Sequence, residues 1–126
     1  MSDTIEGPAQ SAATPTGALI SKHVVHVLSE FTGRGPTSAR TSIDGDVVTV
    51  LLRDTLTRGE RSLVADGRAQ LVLDMRKAFQ ATMREELVGG IERITGRRVE
   101  AFLSDNHIDP DTAVEVFLLE PAGRAT

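Results

Sequence analysis

The sequence predicts an α+β fold with the element order α-β-β-α-α-β-β. Two observations carry this prediction. Stretches rich in β-branched and apolar residues occur as two adjacent pairs, and segments with helical spacing of apolar residues precede and separate those pairs. Two hairpins separated by helices are typical of an antiparallel or mixed four-stranded sheet with the helices packed on one face.

The chain of 126 residues is predicted to form a single domain over residues 17–120. Residues 1–16 are rich in Ser, Thr, Ala, Pro and Gly, so they cannot bury enough apolar surface to offset the entropy of ordering. We therefore expect a disordered N-terminal tail, and a frayed C-terminal tail over residues 121–126. Cysteine is absent, which excludes disulfides and thiolate chemistry.

The first helix is predicted over residues 18–32, where apolar residues form one stripe at helical spacing. Gly33 follows, in the position of a left-handed C-terminal cap. His23 and His26 lie beside the stripe at a spacing that can hold a metal ion, but no third ligand is evident nearby. Glu30, four residues after His26, is more simply its surface partner. The sequence thus predicts no metal site and no cofactor.

The first hairpin is predicted from Ala39–Ile43 and Val47–Leu52. They are joined by Asp44-Gly45, which suits a type I′ turn because both central positions of that turn need positive φ. The second strand, VVTVLL, is β-branched and nearly all apolar. We expect it to be a central strand that is covered on both faces or lies at an interface.

Two helices are predicted next. Thr57 and Glu60 form a capping box that begins the shorter helix, which runs to Asp66. A long helix with a sustained apolar stripe follows to about Thr95, interrupted at Gly89-Gly90, which indicates a close contact or a kink. About 28 residues span roughly 42 Å, more than the diameter of such a domain, so part of this helix is predicted to pack against a second subunit.

The last two strands are predicted over Arg98–Ser104 and Ala113–Glu120, with DNHIDPDT as the loop between them. His107 and Asp105 in this loop are candidates for general acid–base catalysis in a small hydrolase or lyase. Asn106 is a candidate ligand-binding residue. The alternative is a turn without a ligand, because Asn, Asp and Pro build turns locally.

The segment FTGRGPTSAR supplies the main candidates for binding an anion. Glycines let backbone N–H groups approach a ligand, and arginines bind carboxylate or phosphate in a bidentate manner, so Arg34, Gly35 and Arg40 are candidates. The segment follows a helix and lacks the Lys-Ser/Thr ending of a P-loop. The alternative is a helix stop with solvated arginines. Arg53, at the end of VVTVLL, is a fourth candidate, or else it forms a structural ion pair.

The charge distribution is uneven within a net charge of -4. There are 12 basic and 9 acidic residues from Gly33 to Arg98, but 1 basic and 6 acidic residues from Val99 to Thr126. The basic middle is suited to an anionic ligand or an acidic partner, or it decorates a helix. The net charge and the scarcity of aromatic residues argue against nucleic-acid binding. The element order is loosely similar to KH-like domains, but a GxxG loop between the two middle helices is missing.

No apolar run approaches the ~20 residues that a membrane-spanning helix needs. The N-terminus also lacks a basic region followed by an apolar stretch. The sequence therefore predicts a cytoplasmic protein.

Three segments carry a resemblance to a known family: GRGPTSART, VVTVLLRDTLTRGERSLV and TGRRVEAFLSDNHIDPDTAVEVFLLE. They resemble the MpsC-like family, a small bacterial family described as the MpsC component of a sodium-translocating, membrane-potential-generating system. The resemblance covers about residues 17–120, and the motifs GRGP, LLRDTLT and SDNHIDPD are specific in combination. It implies a soluble accessory or regulatory protein of a membrane cation or bicarbonate system, and it transfers no active site.

Combined with the long helix and the basic middle, this resemblance predicts an oligomeric regulatory module, with a homodimer as the first expectation. Its partners would be a membrane-transport protein and an anionic ligand or acidic segment. A small enzyme using His107 and Asp105, and a KH-like nucleic-acid binder, are the alternatives.

Overall fold

The computed structural model describes residues 14–122. The described elements are, in chain order, α1 (Pro15–Thr32), β1 (Ser38–Asp44), β2 (Val47–Arg53), α2 (Arg58–Ala65), α3 (Ala69–Thr95), β3 (Val99–His107) and β4 (Thr112–Leu119). The predicted element order is confirmed. The predicted disorder of residues 1–13 and the predicted fraying of residues 123–126 lie outside the described residues.

The four strands form one antiparallel sheet in the order β1-β2-β4-β3. Each hairpin contributes one edge strand and one central strand, and β2 pairs with β4 in the middle. Helices α1 and α3 pack against each other and against one face of the sheet, while α2 packs against α3. The arrangement of helices on one face is therefore confirmed.

The core lies between this face and the two long helices. From the sheet, it takes alternate residues of the central strands, because successive side chains of a strand point to opposite faces. From the helices, it takes the predicted stripes. The fully buried members are Ile20, Val24, Val27, Val48, Val50, Leu52, Met83, Leu87, Ile91 and Phe117. Burial of each such side chain stabilises the fold by roughly 1.5–3 kcal/mol.

Helix α1 begins earlier than the sequence predicts, at Pro15 instead of Ala18. Thr14 is its N-cap, and the Thr14 hydroxyl accepts a hydrogen bond of 2.8 Å from the Gly17 N–H. A Thr cap followed by Pro in the first turn is a favoured helix start, which the tail-like composition of the preceding residues obscures.

Strand β3 is longer than predicted, and the loop assignment of Asp105–His107 is wrong. These residues pair with Val114, Ala113 and Thr112 of β4, so that only residues 108–111 form the turn. Their composition is typical of turns, but strand pairing across the hairpin outweighs that local preference.

Strand β2 is central, as predicted, but only one of its faces is covered by helices within residues 14–122. Val48, Val50 and Leu52 are fully buried, whereas Val47 is 37% exposed on the other face. Packing against the helices therefore does not explain why VVTVLL also carries apolar residues on its second face.

The predicted close contact at the glycine pair of α3 is confirmed at Gly90. A Cβ atom at Gly90 would lie 1.9 Å from His23 Nε2, because the imidazole of α1 rests directly on the α3 backbone. His23 Nε2 also lies 3.0 Å from the carbonyl oxygen of Glu86, one turn earlier in α3. At Gly89, the nearest atom to an added Cβ is 3.6 Å away, which is an ordinary contact. α3 continues through both glycines.

This contact predicts opposite effects of two neighbouring substitutions. Gly90→Ala should lower the free energy of unfolding by about 1–3 kcal/mol, since His23 must move and lose its bond to Glu86. Gly89→Ala should raise it by about 0.5–1 kcal/mol through helix propensity alone. Urea unfolding followed by far-ultraviolet circular dichroism measures both, as the chain lacks Trp and Tyr. Equal stabilisation by the two alanines would contradict the account of the α1–α3 contact.

Candidate functional site

The three segments that carry the family resemblance meet at one end of the sheet. Arg34 comes from GRGP, Asp54 from LLRDTLT and Asp111 from SDNHIDPD, and Arg61 of α2 lies among them. We call these four residues the motif cluster. Arg34 Nη2 donates to Asp54 Oδ2 at 2.8 Å, and Arg34 Nη1 donates to the Leu56 carbonyl at 3.2 Å. Arg61 bridges the carboxylates of Asp54 and Asp111.

Asp111 fixes the link between β2 and α2. Its Oδ1 accepts hydrogen bonds from the Thr55 N–H at 3.0 Å and the Thr55 hydroxyl at 3.1 Å, and its Oδ2 accepts one from the Leu56 N–H at 3.0 Å. Asp54, at the start of this link, has a φ of 58°, in the left-handed region. The turn between β3 and β4, which contains Asp111, thus holds the loop after β2 in an otherwise disfavoured backbone conformation.

The electrostatics of the motif cluster keep Asp54 ionised. The hydrogen bond from Arg34 has the largest effect and lowers the pKa of Asp54. Burial, the second largest effect, raises this pKa, and the charges of Arg34 and Arg61 and a hydrogen bond from Thr37 lower it further. The Arg34 guanidinium thus donates its hydrogen bonds to partners within the protein, Asp54 and the Leu56 carbonyl.

A Cβ atom at Gly35 would lie 2.5 Å from Ser29 Oγ, so this glycine allows the turn to pack closely against α1. An anion-binding role for Arg34 and Gly35 stays a prediction.

A second, buried ion pair lies beneath the motif cluster. Arg76 of α3 donates from Nε to Glu60 Oε2 at 3.0 Å and from Nη2 to Glu60 Oε1 at 2.6 Å. Both residues are only 3% exposed. Arg76 also donates to the Thr55 carbonyl, and Glu60 Oε1 accepts from the Thr57 N–H at 2.8 Å in the predicted capping box. One salt bridge thus ties α2, α3 and the loop after β2 together. No sequence pattern predicted the pairing of Arg76 with Glu60.

Glu115 of β4 is a third polar group in the interior. It is 1% exposed, and its Oε1 has no hydrogen-bond partner within residues 14–122. Burial raises the pKa of Glu115 to about 7, against the opposing effects of the Ser104 hydroxyl on β3 and the positive charge of Arg76. The alternation of AVEVFLL places Glu115 on the same face as Phe117, so the sequence contained the signal for its burial.

The remaining charged candidates lie on the sheet face opposite α1 and α3. We call this surface the helix-free face, for residues 14–122. It comprises Ser38, Arg40, Ser42 and Asp44 of β1, Val47, Thr49, Leu51 and Arg53 of β2, Thr112, Val114, Val116 and Leu118 of β4, and Ala101, Leu103, Asp105 and His107 of β3. Its apolar centre is flanked by charged residues near one end.

Arg40 and Arg53 are neighbours on this face. Arg40 pairs with Leu51 and Ser38 pairs with Arg53, so the two arginines are diagonal neighbours on adjacent strands. Both are exposed, and neither has an ion-pair partner within 4 Å among the described residues. Unlike Arg34, they are available to an external anionic group.

The catalytic candidates Asp105 and His107 lie on the same face of β3 and are not bonded to each other in the described part of the chain. His107 Nδ1 is 2.9 Å from the Pro110 carbonyl oxygen, and Asp105 Oδ1 accepts a hydrogen bond of 2.9 Å from the Asn106 N–H. Asn106 lies beside a cavity of about 150 Å³ between α3 and β3. A catalytic role for the first two and a ligand role for Asn106 stay predictions.

Across residues 14–122, no group of three or more His, Cys, Asp and Glu side chains is placed to hold a metal ion. None of the helices described combines the length and the apolar character that a membrane crossing requires.

The sequence model of the family described as Na+-translocating membrane potential-generating system (MpsC) matches residues 16–121. The chain belongs to the MpsC family. Comparisons with curated proteins and with solved structures give no significant match. In this MpsC chain, the three segments that carry the resemblance converge on the motif cluster, where their side chains bond to one another and fix the loop before α2.

Proposed function

We propose that this MpsC domain is a cytoplasmic, oligomeric accessory or regulatory module of a membrane-potential-generating system, and that it acts by binding through its helix-free face. The observation that carries the proposal is the composition of that face, which combines exposed apolar side chains with available arginines. Leu103 of β3 is 56% exposed and Val47 of β2 is 37% exposed, on the same face of the sheet as Arg40 and Arg53. Contiguous exposed apolar surface with a polar rim is typical of interaction sites.

The arginines define the chemistry of what binds. A guanidinium presents a planar set of donors that matches a carboxylate or phosphate, and it is more weakly hydrated than an ammonium group. Arg40, with Arg53 as its diagonal neighbour, would therefore contact an acidic group of the partner, while the apolar centre of the face excludes water. The buried apolar residues of β2 and β4 serve the fold, and their outward-facing neighbours serve assembly.

Complementation in the source cell tests this function. A strain lacking the gene should show an altered membrane potential, measured with a voltage-sensitive dye during a sodium challenge, and the wild-type gene should restore it. We expect the Arg40→Glu/Arg53→Glu variant to fail, because the reversed charges repel an acidic group. Immunoblotting and circular dichroism verify its level and its fold.

The matched control is Arg58→Glu, which reverses an exposed charge on α2, away from the helix-free face. It should restore the membrane potential as the wild type does. An unaltered potential in the strain without the gene would contradict the accessory role. Full restoration by the double arginine variant would contradict the use of this face.

A further inference from the structure

We infer that the helix-free face binds a second copy of this chain, sheet against sheet, about a two-fold axis that runs parallel to the strands. The inference rests on the proposed function and names the occupant of the face that it invokes. It follows from the strand order, the pairing register and the positions of the charges.

Aligned packing leaves two ways to place one such face on another about a two-fold axis. Sheets that pack face to face in the aligned class keep their strand directions within about 30° of each other. A two-fold axis in the plane of contact must therefore run either along the strands or across them. With the strand order β1-β2-β4-β3, an axis along the strands sets β1 opposite β3 and β2 opposite β4 of the second copy. Residues of the same cross-strand row then lie opposite each other.

The row that contains Arg40 decides between the axes. Arg40 pairs with Leu51, Leu51 with Val114, and Val114 with Asp105, so these four residues form one line across the sheet. Rotation about the axis along the strands reverses the order of this line in the second copy. Arg40 then lies opposite Asp105 of the second copy, and Leu51 lies opposite its Val114. The symmetry of the dimer makes each contact twice.

In the two neighbouring rows, this axis brings the central strands together through largely apolar side chains, with Thr49 as the polar member. Thr49 lies opposite Val116 of the second copy, and Val47 lies opposite Leu118. The centre of the contact is thus apolar and its charged pair lies towards the edge strands, as in many protein interfaces.

The axis across the strands gives a poor match. It sets each strand opposite itself with the rows reversed, so that Arg53 lies opposite Val47 of the second copy and Asp105 lies opposite Leu103. No two opposite charges lie directly opposite each other under this axis, so the charges lose water without a directly facing partner, which is costly.

The axis along the strands sets Arg40 directly opposite Asp105 of the second copy. It leaves Arg53 opposite Thr112 and Asp44 opposite Ala101 of the second copy. It is nevertheless the axis that places opposite charges face to face.

The small size of the face limits the affinity expected of the dimer. Four strands spaced about 4.8 Å apart and about seven residues long at about 3.4 Å each present a face of roughly 450 Å². That projected area is smaller than the ~800 Å² of accessible surface that each partner contributes to a standard interface. We therefore expect a dimer that dissociates on dilution through the micromolar range.

Sedimentation velocity of the full chain over that concentration range tests the inference. The wild type should shift from monomer to dimer as its concentration rises. Arg40→Glu and Asp105→Arg should each weaken dimerisation by about tenfold or more, because each places like charges opposite each other twice. The combined variant Arg40→Glu/Asp105→Arg should restore it, while Arg58→Glu should leave it unchanged.

Cross-linking distinguishes the two axes, and the absence of native cysteine makes it selective. The inferred axis sets Ser42 opposite Leu103 of the second copy, across sheets about 10 Å apart. In a mixture of Ser42→Cys and Leu103→Cys chains, a thiol cross-linker of matching length should join one variant to the other. Products that join only like variants would overturn the axis.

A chain that stays monomeric at every concentration would overturn the dimer, as would a dimer in which the charge exchange restores nothing. A chain that stays monomeric would also remove the oligomeric part of the proposed function. Neither result bears on whether the face controls the membrane potential, which the complementation experiment reports separately. Full restoration of the membrane potential by Arg40→Glu/Arg53→Glu, alongside a charge-dependent dimer of the wild type, would conversely contradict the proposed function alone.

Discussion

Replacing Arg76 by Met is expected to lower the free energy of unfolding by about 3–5 kcal/mol, because it leaves the Glu60 carboxylate buried without its partner. Arg76 and Glu60 are joined by two hydrogen bonds, and both are 3% exposed. The Thr55 carbonyl also loses a donor. Urea unfolding followed by circular dichroism gives the value.

A double variant separates loss of pairing from loss of packing. Glu60→Gln removes the charge but keeps an oxygen that can accept from the Thr57 N–H, so the capping box survives. The pair Glu60→Gln/Arg76→Met should therefore recover most of the stability lost in Arg76→Met. A loss below about 1 kcal/mol in the single variant would match an exposed ion pair and contradict the buried one.

Replacing Glu115 by Gln is expected to make the protein more stable at alkaline pH and to leave its stability at acidic pH little changed. Burial raises the pKa of Glu115 from 4.5 to about 7 in the folded protein. Below the unfolded pKa, both states hold the proton. As the pH rises from there to the folded pKa, the unfolded state alone releases it, so the wild type loses stability relative to the variant.

The size of this effect follows from the pKa shift of Glu115. Each unit corresponds to about 1.4 kcal/mol, so the variant should gain about 3 kcal/mol over the wild type by about pH 8. The measurement is the difference in unfolding free energy between the two proteins at several pH values, because other titrating groups, such as Asp54, cancel in it. A difference that does not change between about pH 5 and about pH 8 would contradict a protonated, buried Glu115.

The sequence patterns that predicted the fold were those of long, regular elements. The β-branched, nearly all apolar run VVTVLL and the Asp44-Gly45 turn located the first hairpin, and the stripe of α3 located the long helix. The end of β3 was missed because Asp105 and His107 belong to residue types that favour turns. Their pairing with β4 is a tertiary interaction, which composition does not reveal.

The candidate site was less predictable for the same physical reason. Arg34, Arg40 and Arg53 were grouped by chemistry and proximity along the chain, but the fold bonds Arg34 to Asp54 and turns Arg40 and Arg53 outward. Arg34 has an internal partner because it lies at the end of the sheet where the three motifs meet, next to Asp54. The sheet register, and not the spacing along the chain, brings Arg40 and Asp105 into one row.

Methyl NMR spectra of the 13.5 kDa chain at increasing concentration test most directly whether the helix-free face is the assembly surface. Our account predicts concentration-dependent shifts at Leu51, Leu103 and Val114, whose methyl groups lie on that face. The methyls of Leu71, exposed on α3, should stay unchanged and serve as the internal reference. Shifts confined to α3, with none on the sheet, would contradict the account.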